Sequence, residues 1–197
     1  MSKGSLFIIS GPSGTGKGTV CTELLKKENI FLSVSATTRD KRCGETDGVT
    51  YNYITEEKFR DMIENDEVLE YAIYNGNYYG TPKKAVEDML SAGKNVILEI
   101  EAQGALKVKK IMPEAVMIFV VPPSIEELRR RLTERGRESS AEIEKRIEAA
   151  KWEISQSPKY NYVIVNDDLM QCVGETLDVI NATNERQQMI EKLLKEI

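Results

Sequence analysis

One passage near the amino terminus constrains this chain more than any other. The apolar run Leu6 to Ile9 leads directly into Gly11-Pro12-Ser13-Gly14-Thr15-Gly16-Lys17-Gly18-Thr19, and helix-forming residues follow from Val20 to Glu28. Glycines at this spacing let backbone N–H groups turn inward onto phosphate oxygens. The N-terminus of the next helix adds partial positive charge, and a lysine at position 17 reaches the β and γ phosphates. Taken bare, the pattern also suits a structural glycine turn. Its place between a strand and a helix makes it a nucleotide phosphate loop, with residues Gly11 to Thr19 as the ATP-side candidates. The usual Ser/Thr after the lysine is Gly18 here, so a direct hydroxyl ligand to magnesium is missing. Thr19 then suits the α-phosphate, and magnesium is expected to be held mainly by phosphates and water.

Composition removes several competing chemistries. The 197 residues contain no histidine, which excludes Ser–His and Cys–His nucleophiles, histidine-ligated metals and a histidine base. Lys and Arg number 27 against 32 Asp and Glu, a net charge of −5 that argues against a nucleic-acid binder working by broad phosphate neutralisation. Cys21, Cys43 and Cys172 are odd in number and far apart, so neither a disulfide framework nor structural zinc is expected. The longest apolar run, Ala115 to Val121, is too short to span a bilayer, and a cytoplasmic protein is expected.

Four apolar runs, Leu6 to Ile9, Val96 to Leu98, Val116 to Val121 and Tyr162 to Val165, suit strands covered on both faces of a parallel sheet. Helices are predicted between and after them, over Ala102 to Met112, from the capping box Ser124 to Glu127 as far as Gly136, from a second box at Ser139 to Glu142 as far as Ser157, and from Leu169 onward. This alternation is an α/β sheet. Residues 33–90 break the rhythm, with a helix predicted over Glu56 to Asn65 and a strand over Val68 to Tyr74, and read as an inserted lobe. The arginine-rich residues 125–150 read as a smaller one, leaving 1–32, 91–124 and 151–197 as the core.

The acceptor must be sought in the inserted lobe. Ser35-Ala-Thr-Thr-Arg39-Asp-Lys-Arg42 sets two guanidinium groups among hydroxyls, which suits a phosphate monoester, although loop arginines in isolation are usually surface charges. The longer string S-x-T-T-R-x-x-R-x-G-E-x-x-G-x-x-Y, from Ser35 to Tyr51, resembles the acceptor segment of guanylate kinases. The likeness continues in order through Glu67 to Tyr71, Gly76 to Thr81, Glu99-Ile-Glu101-Ala-Gln-Gly104, Pro122 to Ser124 and Ile164 to Asp167. The resemblance implies a three-layer P-loop kinase fold with a parallel central sheet, a GMP-binding lobe and a small helical lid. It implies that Ser35, Arg39, Arg42, Tyr51 and Tyr79 bind the phosphate of GMP, and Glu70 and Thr81 its base. Guanine offers N1–H and an amino group as donors and O6 as an acceptor, which a carboxylate and a hydroxyl match. Glu99 and Glu101 stand where the family usually has aspartates; Glu101 is carried over to the GMP side and Glu99 to the neighbourhood of magnesium. On their own, Glu70 reads as a solvated acid, Thr81 as a helix cap, and Glu99 and Glu101 as acids at a strand end.

Arg131 and Arg135, four apart on one helix face, and Arg146 match lid arginines of the family and are expected to meet the transferring phosphates with Lys17. Arg129, Arg130 and Arg137 read as surface, and Asn166 as an adenine-side contact. The expected reaction is transfer of the γ-phosphoryl of ATP to GMP, and to dGMP, with magnesium, and with the lobes closing about Gly80, Gly93 and Gly136. Another nucleoside monophosphate kinase shares the loop and arginines but not the Glu70/Thr81 pair. A GTPase switch lacks its N-K-x-D string here, and the non-catalytic guanylate-kinase-like interaction modules typically have an eroded phosphate loop. The sequence leaves the oligomeric state open.

Overall fold

A computed structural model describes residues 3–74, 76–134, 136 and 139–194. Its centre is a five-stranded parallel sheet of β1 (Leu6–Ser10), β2 (Ile30–Leu32), β7 (Asn95–Glu99), β8 (Val116–Val121) and β9 (Tyr162–Val165), in the order β2-β7-β1-β8-β9. Alternation along β1 explains the layers. Leu6 and Ile8 point into one apolar cluster, with Val86 and Leu90 of α3 (Lys83–Ser91) and Ala102, Ala105 and Val108 of α4 (Ala102–Ile111). Phe7 and Ile9 point into the opposite cluster, with Val20 and Leu24 of α1 (Lys17–Leu24) and Val173 and Ile180 of α7 (Leu169–Leu194). Both faces of the sheet are thus dry, and the expected three-layer α/β architecture holds.

Two strand expectations need correction. Ile30–Leu32 forms an edge strand that the sequence reading missed, because three residues after a helix give too little periodicity. β9 was expected to be covered on both faces, yet Tyr162, Val163 and Val165 are about half exposed and only Ile164 is buried, since β9 pairs on one side only, with β8.

A second sheet lies within residues 33–90, in the order β4-β3-β6-β5, where β3 is Ala36–Thr37, β4 Asn52–Tyr53, β5 Val68–Tyr74 and β6 Asn77–Pro82. Helix α2 (Glu56–Glu64), N-capped by Thr55, sends Phe59 against Tyr71 and Tyr78. Of these strands only β5 was expected, and α3, in the same segment, was not. Gly80, expected as a flexible point, lies inside β6, where a Cβ would press on Phe59 and the Glu70 carbonyl. The third unit is the pair α5 (Ile125–Glu134) and α6 (Ser140–Ser155), closed by Leu128, Leu132, Ile143, Ile147 and Ala150. Ser139 caps α6 with the reciprocal bonds of a capping box. Among the described residues no helix is long and apolar enough to cross a membrane.

Candidate active site

The phosphate loop leaves the carboxyl end of β1, the middle strand of the parallel sheet. Gly11 and Gly16 sit at φ 143° and 88°, in the left-handed region that a side chain resists, and Gly16 ends the loop as the N-cap of α1. Lys17 opens that helix and folds back over the loop, its Nζ donating to the Gly11 and Pro12 carbonyls, the latter at 3.0 Å. Burial pushes the Lys17 ammonium down, and the negative charges of Glu99, Glu153 and Glu101 push it back. Thr15 is buried and donates its hydroxyl to the Pro12 carbonyl at 2.9 Å, so that side chain braces the loop, while Ser13, Gly18 and Thr19 face outward.

Asn166, just past β9, is buried and donates Nδ2 to the Thr15 carbonyl at 2.7 Å. The same nitrogen would lie 2.5 Å from a Cβ at Gly16. The adenine-side expectation for Asn166 thus meets a side chain already engaged with the loop backbone. It also lines a cleft of about 420 Å³ with Gly14, Gly16, Thr19, Arg131 and Asp167.

Glu99 ends β7 beside the loop, and a Cβ at Gly18 would stand 3.7 Å from both of its carboxylate oxygens. Burial raises the Glu99 carboxyl and the Lys17 charge lowers it. Glu153 on α6, unmarked by the sequence reading, also feels Lys17; one of its oxygens is buried without a hydrogen-bond partner among the described residues. Its sequence signal was its place seven residues after Arg146, two turns along the same helix face. Among the described residues no group of three or more acids or cysteines is disposed to cage a metal. Magnesium, which keeps several waters and binds through one or two carboxylates plus substrate phosphates, fits Glu99 beside an open Gly18 better than it would a protein cage.

Beside the second sheet, two of the residues carried over to the GMP phosphate, Arg39 and Arg42, meet at Glu45. Its carboxylate accepts from Arg39 at 2.8 Å, from the Arg42 backbone N–H at 2.8 Å and from the Tyr53 hydroxyl at 2.7 Å. Those donors, Arg39 first, hold the Glu45 carboxyl down to about 2. The Arg39 guanidinium also lies over the Tyr51 ring, and Tyr51 meets Tyr79 edge to face at 5.9 Å. Arg42 is exposed and Ser35 half-buried; the Ser35 carbonyl accepts from Asn52 N–H, which ties the start of β3 to β4. Glu45 and Tyr53 went unassigned in the sequence, since spacing does not announce a carboxylate six residues after its arginine.

Glu70 on β5 and Thr81 on β6 are both buried, and the Thr81 hydroxyl donates to Glu70 Oε1 at 2.8 Å. The solvated-acid and helix-cap readings fail here. Burial raises the Glu70 carboxyl against the pull of Thr81 and Lys107. Glu101 is exposed at the N-cap position of α4, without a capping bond from its side chain.

On the helical pair, Arg131 is bound by Glu127 at 2.7 Å and faces the loop cleft, while Arg146 reaches across to donate to the Ser13 hydroxyl at 2.7 Å. Arg130 pairs with Glu127 and Glu134, and Arg129 with Glu144, as surface charges do. Arg135 and Arg137 lie outside the described residues.

The family model for guanylate kinase matches residues 3–183. Guanylate kinase of Clostridium perfringens is 49% identical over 195 residues, covering 98% of this chain and 90% of that one. The Thermus thermophilus enzyme of the same name is 48% identical over 184 residues, 93% of this chain and 82% of the other. The solved structure of guanylate kinase from Anaplasma phagocytophilum superposes with a TM-score of 0.76 at 38% identity, over 92% of this chain and 86% of that chain.

Proposed function

The chain belongs to the guanylate kinase family, and from that premise we propose how its residues carry out the reaction, transfer of the γ-phosphoryl group from ATP to GMP to give ADP and GDP. The loop Gly11 to Thr19 cradles the ATP phosphates with backbone N–H groups. The acceptor phosphate is itself the nucleophile, so no protein nucleophile or histidine is required. Lys17 trades the Gly11 and Pro12 carbonyls for the β and γ phosphates, and its charge matches the one that develops there. Magnesium, when bound, would offset negative charge on the phosphates, and Glu99, beside Gly18, would accept from its waters.

Arg39 and Arg42, with Ser35, Tyr51 and Tyr79, hold the GMP phosphate, and Arg131, Arg135 and Arg146 descend on the transferring group as the lid closes. Glu101 flanks the GMP side. We also read dGMP as a second acceptor.

The observation that carries base choice is the buried pair Glu70 and Thr81. A carboxylate accepts from guanine N1–H, whereas adenine has no N1–H to give. An ADP-release assay with ATP and magnesium across GMP, dGMP, AMP, UMP, CMP and dTMP tests this: turnover is expected with GMP and dGMP only. AMP used as well as GMP would remove Glu70 from the base site.

A further inference from the structure

Helix α4 carries a glycine in its first turn, Gly104, three residues after the N-cap Glu101. Gly104 is not among the glycines at positive φ, so the chain makes no use of its backbone freedom. What it uses is space. A Cβ at position 104 would lie 2.6 Å from Glu70 Oε2 and 3.0 Å from its Cδ. The helix is not free to retreat, because Ala102, Ala105 and Val108 are buried in the central core. It is also pinned to β5, since Lys107 Nζ donates to the carbonyl of Tyr71, the residue after Glu70, at 2.8 Å.

Resting on the reading of Glu70 as the guanine-binding carboxylate, we propose that Gly104 is a positioning residue for base selectivity. Its missing side chain lets one carboxylate oxygen of Glu70 lie against α4 while the other faces Thr81. A methyl at 104 meets the far end of a flexible side chain, so the fold yields little and the carboxylate yields most. Moved off α4, Glu70 loses register with Thr81 and with the base edge together. The N-cap of the same helix, Glu101, comes two residues after Glu99, so the contact at Gly104 sets the base-reading group of the inserted sheet against the helix that follows the strand end near Lys17.

The test is Gly104→Ala, read by the Michaelis constants for GMP and ATP, kcat at saturating GMP, and the thermal midpoint, with Glu70→Asp and the double variant alongside. The GMP constant is expected to rise roughly tenfold or more, the size of a misplaced charged hydrogen bond, with the ATP constant and kcat within about threefold. In the Glu70→Asp background, one methylene shorter, Gly104→Ala is expected to add less than about threefold, a direct sign that the two positions act through one contact. A GMP constant unchanged in Gly104→Ala, or ATP and GMP constants raised in parallel with a lowered midpoint, would overturn the proposal and leave Gly104 a packing residue. If Gly104→Ala does not fold, a folded double variant supports the contact and an unfolded one refutes it. Glu70→Gln separates the two readings. An unchanged GMP constant there overturns the base assignment and this inference with it, whereas a raised constant there beside an indifferent Gly104→Ala overturns this inference alone.

Discussion

The donor and acceptor sides of this enzyme are built by different means. The phosphate loop is made of backbone: glycines at positive φ shape it, the dry parallel sheet anchors it, and Thr15 and Asn166 brace it through main-chain carbonyls. The acceptor side is made of side chains, with Arg39 and Glu45 from the segment between β3 and β4 meeting Tyr53 of β4, and Glu70 of β5 meeting Thr81 of β6. A backbone site binds any phosphate chain and survives most single substitutions outside its glycines. A side-chain site selects, and can lose its selectivity through a single atom.

The largest expected effect tests whether the donor side owes its catalysis to one side chain. Lys17→Ala should cut turnover by roughly 100-fold or more, the scale of a lost transition-state donor, while ATP binding through the loop N–H groups falls much less. Coupled turnover and ATP titration check the split; activity within about tenfold of the parent would show that the backbone alone suffices. Next comes the helical pair. Arg146→Ala, which removes the contact with Ser13 as well as a charge for the transferring group, should lower kcat by roughly 10- to 150-fold with GMP affinity little changed. Small-angle scattering with a bisubstrate analogue should show a smaller radius of gyration than for the free protein. Unchanged scattering together with an innocuous Arg146→Ala would make the cleft rigid and its arginines surface.

On the acceptor side, Glu70→Gln should raise the GMP Michaelis constant by roughly 5- to 150-fold and spare ATP, since the amide offers guanine N1–H a donor in place of an acceptor. The pH dependence has a sign. Burial raises the Glu70 carboxyl, so falling pH protonates it ahead of ordinary glutamates and weakens GMP binding. Its folded pKa exceeds the unfolded one, so the ionised group costs stability at neutral pH and that cost is relieved as pH falls through the raised value. A GMP constant indifferent to pH from neutral downward in the parent, or identical profiles in parent and Glu70→Gln, would break the assignment.

The same contrast governs what could be read in the sequence. The donor loop was legible because backbone function is encoded locally: glycines at fixed spacing, a strand before and a helix after. Four of the five parallel strands were legible for a related reason, as continuous apolar runs, and β2 was too short to register. The inserted sheet was mostly illegible as structure, since β3 and β4 are two residues each, β4 pairs only with β3, and the pairing of β3 with β6 is long-range. Its site residues were named only through family likeness. What likeness did not supply were the contacts around the named residues: Glu45 on Arg39, the close approach of Gly104 to Glu70, the bond of Asn166 to the loop carbonyl, and Glu153 near Lys17. The Gly104 and Asn166 contacts join segments far apart in the chain, which no local spacing displays.

The smallest expected effect asks how firmly the acceptor arginines are preset before GMP arrives. Glu45 accepts from Arg39, from the Arg42 backbone and from Tyr53, and its carboxyl is held down to about 2 from an ordinary 4.5. A depressed folded pKa means that its contribution to stability is present above the unfolded value and is lost as pH falls from about 4.5 toward 2. The Arg39 and Glu45 side chains retain 13% and 18% exposure, so water and salt weaken the pair, and removing one charge should change the GMP constant by no more than roughly fivefold. Glu45→Gln removes the charge and turns one of the two accepting oxygens into an amide donor, so either Arg39 or the Tyr53 and Arg42 donors lose their acceptor. A few-fold rise in the GMP constant, eased by added salt in the parent, is expected. Carboxyl-detected NMR titration of the free protein should place Glu45 near 2, and a midpoint at the ordinary value would mean that Arg39 is not preset, so that the acceptor site, unlike the loop, is assembled by its ligand.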